Sequence, residues 1–91
     1  MKRYVIERDI PGVGKLNREQ FKHVAVTSLG AQAKLYGKIQ WVQSYITGDK
    51  TFCTYLADSE ASIHEHGRLA GVPVTKITEA PTAIDPMTAF S

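Results

Sequence analysis

The chain has 91 residues, 43% hydrophobic and 22% charged, which suits one small globular core and excludes both intrinsic disorder and a second domain. Its net charge is only +2, and Lys2, Arg3, Lys15, Lys34, Lys38, Lys50 and Lys76 are scattered, without the dense basic stripe of a nucleic-acid surface. No stretch approaches the roughly 20 apolar residues of a membrane span. The opening Met-Lys-Arg-Tyr-Val-Ile-Glu-Arg-Asp lacks the apolar run of a signal peptide. Cys53 is the only cysteine, so no internal disulfide forms and a reducing compartment is favoured. The expectation is a soluble cytoplasmic protein with no nucleic-acid partner and no membrane contact. A domain of this size buries only about 60–65% of its extended-chain surface, so pairing with a second copy would add stability.

Residues 2–8 read as a first strand, with Tyr4, Ile6 and Arg8 on one face and Val5 and Glu7 on the other. Asp9-Ile10-Pro11-Gly12-Val13-Gly14 then breaks the pattern. Gly-Val-Gly-Lys between a strand and a helix invites a phosphate-loop reading, which fails. The spacing needs Gly where Asp9 stands, and Leu16 replaces the Ser or Thr that would ligate magnesium.

A first helix starts at Asn17, a good N-cap, with Gln20 completing a variant capping box and Leu16 and Phe21 forming a hydrophobic staple. Phe21, Val24, Ala25, Ala31 and Leu35 fall on one arc that should pack on a sheet. Ser28 and Gln32 lie on that arc too, either bonded to backbone or water at its edge or lining a cleft. Ala31 to Leu35 are good helix formers and Lys34 suits the C-terminal dipole, so the helix is expected to run to Gly37.

Residues 39–57 form the organising stretch, two β-rich runs flanking the turn residues Thr47-Gly48-Asp49-Lys50. Strict alternation places Val42 and Ile46 on one face and Trp41, Gln43 and Tyr45 on the other. On the return, Phe52 and Leu56 share a face opposite Cys53 and Tyr55. Both faces are therefore substantially apolar. The second face, away from the helices, is expected to hold Trp41, Gln43, Tyr45, Cys53 and Tyr55, with Glu7 joining from the first strand. Such a surface either fills a dimer core or lines a small-molecule pocket.

Asp58 or Ser59 caps a second helix, and Glu60 adds negative charge to its first turn. Ile63, His66, Gly67 and Ala70 form its inward stripe, while His64 and Glu65 point away; Gly71 and Pro73 end it. Residues 74–79 read as a last strand. Pro81 and Pro86 confine the remaining residues to an edge segment and a tail, giving one domain over residues 1–86 and a tail over 87–91. The order β-α-β-β-α-β predicts an α+β ferredoxin-like sandwich, a four-stranded antiparallel sheet with both helices on one face. Two copies stacked sheet against sheet would make a homodimeric α/β barrel.

No Ser-His-Asp order, paired CxxC or HExxH is present. Within His64-Glu65-His66 the two imidazoles point about 200° apart on a helix and cannot easily chelate one ion within a chain. His64 pairs better with Glu60, one turn back, as an exposed metal foothold or simply a solvated helix face. His66 lies among small inward residues and needs a buried partner. Cys53 has no basic neighbour in sequence to activate it, and His23 reads as solvated on the outer face of the first helix.

The stretches Met1-Lys-Arg-Tyr-Val-Ile-Glu-Arg-Asp-Ile-Pro-Gly-Val-Gly, Gln40-Trp-Val-Gln-Ser-Tyr, Ile63-His-Glu-His and Ala83-Ile-Asp-Pro resemble a family of small bacterial nickel-binding proteins of ferredoxin-like fold, formerly labelled as a domain of unknown function. The resemblance spans Met1 to about Pro86. It implies a dimer that holds nickel ions at its surface for sequestration or tolerance, with no organic cofactor evident. Nickel(II) accepts imidazole nitrogen and carboxylate oxygen, which selects His64, His66, Glu60 and Asp58 as candidate ligands. The alternative is a small enzyme of the dimeric α/β-barrel type, monooxygenase- or isomerase-like, by analogy of fold alone. There His66 would act as acid or base, with Tyr45, Trp41 and Glu7 shaping a pocket for an organic ligand. The non-enzymatic metal-binding reading leads.

Overall fold

The computed structural model describes residues 1–91. Strand β1 (Lys2–Asp9) leads through a 3-10 turn (Val13–Lys15) into helix α1 (Arg18–Ala33). The hairpin β2 (Ile39–Ile46) and β3 (Lys50–Ala57) follows, then α2 (Glu60–Ala70), β4 (Lys76–Glu79) and a 3-10 segment (Pro86–Phe90). The sheet is antiparallel throughout in the order β2-β3-β1-β4, with both hairpin strands on one side of β1 and β4 on the other. This is the ferredoxin-like arrangement that the element order predicts. No helix is long and apolar enough to cross a membrane.

The local signals act where they were expected. Asn17 accepts from the Gln20 backbone and Gln20 Oε1 accepts from the Asn17 backbone, a full capping box. Ser59 caps α2, and Gly71 closes it in the left-handed conformation at φ 72°. Gly14 is required by close approach: its backbone N–H donates to Gly48 O at 3.0 Å, and a Cβ there would lie 2.6 Å from Thr47 O. The turn between β1 and α1 is thereby pinned to the tip of the hairpin.

The core lies between the helices and one sheet face. Tyr4, Ile6, Ile39, Cys53, Tyr55 and Ala57 rise from the strands to meet Ile63 and Leu35, with Trp41, Leu69 and Ile77 packed at the margin. Full burial of a side chain such as Ile63 stabilises by about 2 kcal/mol. The two helices cover the sheet unequally. Helix α2 buries Ser62, Ile63, His66 and Gly67, whereas only Ser28 and Ala31 of α1 are buried.

Four expectations are corrected. First, β2 does not alternate uniformly: Trp41 lies opposite Tyr55 but Gln43 lies opposite Thr54, leaving Val42 as the extra residue of a β-bulge. Past that residue the faces exchange. Trp41, Ser44 and Ile46 point toward the helices, and Gln43 and Tyr45 toward the open side. Gln32 Oε1 accepts the Trp41 backbone N–H at 2.8 Å, which supplies a partner at the disrupted ladder. Second, Cys53 and Tyr55 pair with Ile6 and Tyr4 and sit under the helices; Phe52, Thr54 and Leu56 take their place on the open face, beside Val5 and Glu7, where Glu7 was expected. Third, α1 ends at Ala33, because the chain must reverse to enter β2. Tyr36 and Gly37 adopt φ 50° and 82° in that reversal. The last strand is also shorter than residues 74–79.

Candidate functional site

Because α1 covers the sheet thinly, a cavity of about 410 Å³ remains beneath it, floored by β1, β3 and β2 and closed at one end by the 3-10 turn. Eleven of its fifteen lining residues are hydrophobic, among them both staple residues, Leu16 and Phe21. Trp41, Ile46 and Val72 complete much of that wall, and Trp41 is fixed by donation from Nε1 to Ser44 Oγ at 2.8 Å.

The polar groups gather around Arg8. Its residue is 3% exposed, yet none of the four ion pairs in the structure includes it. Arg8 Nη1 donates to Pro73 O at 2.7 Å and Nη2 donates to Tyr55 Oη at 3.4 Å, with the guanidinium carbon 5.8 Å from the Tyr55 ring centre. Burial pushes the Tyr55 phenol above its ordinary pKa, against the opposing pull of Arg8, and keeps it protonated at neutral pH.

His66 stands behind this pair, its ring centre 5.3 Å from that of Tyr55 and tilted by 59°. Its Nε2 lies 3.0 Å from Ser28 O. A carbonyl only accepts, so Nε2 carries the proton and His66 ties α2 to α1. Nδ1 is buried without a protein partner. Burial holds the imidazole pKa below its ordinary value; the bond to Ser28 O opposes this and the Arg8 charge adds to it. At neutral pH the ring is uncharged.

Trp41, Cys53 and Tyr55 line the cavity, but Tyr45 is 61% exposed on the opposite sheet face. Glu7 is on that opposite face as well, bonded to Lys50 Nζ at 3.2 Å. The structure therefore does not bring His66, Tyr45 and Glu7 together. Arg8 is the residue whose importance the sequence reading missed, although alternation with Tyr4 and Ile6 already put it on the core face.

On the far side of α2, Glu60 and His64 are exposed one turn apart. Asp58 is engaged at the helix start, accepting from Ser59 Oγ at 3.1 Å and from Ser62 Oγ; the Ser62 bond leads in holding its pKa below the usual value. Glu65 is bonded to Arg68.

The family model described as nickel responsive protein SCO4226-like matches residues 4–80. The chain belongs to this SCO4226-like family. Among solved structures, that of SCO4226 from Streptomyces coelicolor A3(2) is similar, with a TM-score of 0.75 and 13% identity, covering 90% of this chain and 99% of that one. At that identity the likeness supports the ferredoxin-like fold and nothing finer. No curated protein matches the chain. Whether this SCO4226-like chain fits a nickel ion can be judged from its donors. No three His, Cys, Asp or Glu side chains converge within one chain. The exposed side chains of His64 and Glu60 offer one nitrogen and one oxygen donor, fewer than nickel(II) coordination takes.

Proposed function

We propose that the protein binds nickel(II) as cargo, in a sequestering or buffering role, and does so as a homodimer. The observation that carries this reading is membership of a nickel-responsive family across residues 4–80. His64 and Glu60 are the supporting donors, since imidazole and carboxylate are ligands nickel(II) accepts. Asp58 lies close to Glu60 in sequence at the helix start, and releasing it from Ser62 would add a third donor, its carboxylate oxygen. His66 contributes to the interior instead, because its Nε2 is committed to Ser28 O.

The open sheet face supports the dimer. Val5, Phe52 and Leu56 are half-buried there and Tyr45 and Val42 are exposed. Stacking two such faces about 10 Å apart would cover them and leave each α2 facing outward, one nickel foothold per chain. Calorimetric titration of tag-free protein with nickel, beside zinc and cobalt, tests the reading. Micromolar binding at one ion per chain, lost in His64→Ala, supports it. Retention in His64→Ala moves the ligands elsewhere, and millimolar affinity alone overturns it.

A further inference from the structure

We propose that the cavity beneath α1 is a binding site for a small apolar monocarboxylate, whose carboxylate pairs with Arg8. The inference does not depend on the nickel reading, and it begins from a charge without a counter-charge.

Arginine stays protonated at any physiological pH, and a buried cation costs several kcal/mol unless an anion or dense hydrogen bonding compensates it. The guanidinium carries five N–H donors, and the structure uses Nη1 and Nη2 on two neutral acceptors, Pro73 O and Tyr55 Oη. The acidic neighbours in sequence cannot compensate it. Glu7 and Asp9 alternate onto the open face, where both pair with Lys50 at 3.2 and 3.5 Å. Arg8 instead forms part of the cavity wall. Its planar fork matches a carboxylate, and each charge-assisted bond so formed is roughly twice as strong as a neutral one.

The surrounding chemistry selects the ligand class. Arg8 is the one charged residue among the fifteen that line the cavity. A monoanion is therefore neutralised, whereas a dianion such as a phosphate monoester would leave a net negative charge in an apolar enclosure. Tyr55, held protonated, accepts from Arg8 and keeps its own O–H free to donate to the same carboxylate. Neutral His66 behind it adds no second charge. The rest of the ligand must be apolar, because Phe21, Val24, Trp41 and Ile46 enclose the remaining volume. The volume is within the usual range for small-molecule sites, about 300–1,000 Å³. Val24 is 44% exposed although it lines the cavity, so the ligand would also bury apolar surface that the free protein leaves wet.

Trp41 is the chain's single tryptophan and lines this cavity, so its fluorescence reports on the site. In metal-free buffer the protein would be titrated with phenylacetate and octanoate, and with phenylacetamide and phenyl phosphate as neutral and dianionic probes. Saturable quenching or shift of Trp41 emission by a monocarboxylate, at least tenfold tighter than by the amide or the phosphate, is expected. Arg8→Gln should abolish the preference of acid over amide. Ala25→Leu, which fills the cavity from α1 and keeps the Arg8 charge, should weaken acid and amide together. No saturable binding, equal binding of amide and acid, or acid binding unchanged in Arg8→Gln would overturn the proposal. Should Arg8→Gln fail to fold, the probe comparison in the wild type and Ala25→Leu still decides it. Nickel titration is unaffected by either result, so the two readings fail separately.

Discussion

Acidification through the range where a free histidine titrates should destabilise this fold through one residue. His66 is fully buried, its Nε2 proton sits on Ser28 O, and burial depresses its pKa. The unfolded chain, with a histidine pKa of about 6.5, takes up the proton first. It then binds more protons than the native state, so stability rises with pH and falls on acidification. The full contribution is present above pH of about 6.5 and is lost as pH falls toward the depressed native value. One proton corresponds to about 1.4 kcal/mol per pH unit, which is the most that each unit below 6.5 costs while the native ring stays neutral. Against a typical stability of about 5–10 kcal/mol this is large, and each such pH unit moves a urea midpoint by roughly 0.5–1.4 M. Asp58 and Glu65, both with lowered pKa, lose their contributions only at lower pH, below about 4.5, and so do not mask the effect. The assay is urea unfolding followed by circular dichroism between pH 7.5 and 4.5. His66→Gln keeps a donor for Ser28 O but does not titrate, and should flatten the slope across this range. An unchanged wild-type midpoint, or the same slope in His66→Gln, would refute the reasoning.

Three further outcomes are expected from the packing. Gly14→Ala drives a Cβ to within 2.6 Å of Thr47 O and 2.9 Å of Gly48 Cα, and should cost about 1–3 kcal/mol in thermal unfolding. Gln32→Ala strips the Trp41 N–H of its acceptor at the bulge, costing about 1–2 kcal/mol and accelerating hydrogen exchange at that amide. Thr54→Lys, at the centre of the open face between Val5 and Gln43, should change monomer stability by less than about 0.5 kcal/mol. In sedimentation velocity it should nevertheless convert a dimer to a monomer; a wild type that sediments as a monomer would sink the stacked-sheet dimer.

Much of the fold was legible because the chain punctuates itself with strong local chemistry. Asn17 with Gln20, Ser59, Gly71 and the Thr47–Lys50 turn mark element ends by hydrogen bonding and backbone freedom, which act locally and can be read locally. The sheet faces were not legible past Trp41. A bulge at Val42 leaves no compositional trace, and one extra residue moves Tyr45 to the opposite side. The side covered by the helices could not be chosen either, since both faces of the hairpin are apolar. That choice depends on the longer-range pairing of Tyr4 with Tyr55 and Ile6 with Cys53. The inward stripe of α2 placed His66 correctly, and alternation put Arg8 on the face of Tyr4 and Ile6 without showing what would receive its side chain. Its burial arises because Pro73 O and Tyr55 Oη, 65 and 47 residues away, come to meet it.

Nickel binding and its location can be read together from one titration. Nickel(II) added in substoichiometric steps to isotope-labelled protein broadens amide signals closest to the bound ion, because the ion is paramagnetic. The account predicts that signals from Glu60 to His64 on the outer face of α2 broaden first, saturate at one ion per chain, and are restored by a chelator. Broadening that begins elsewhere, or no selective broadening at micromolar protein and metal, would contradict it.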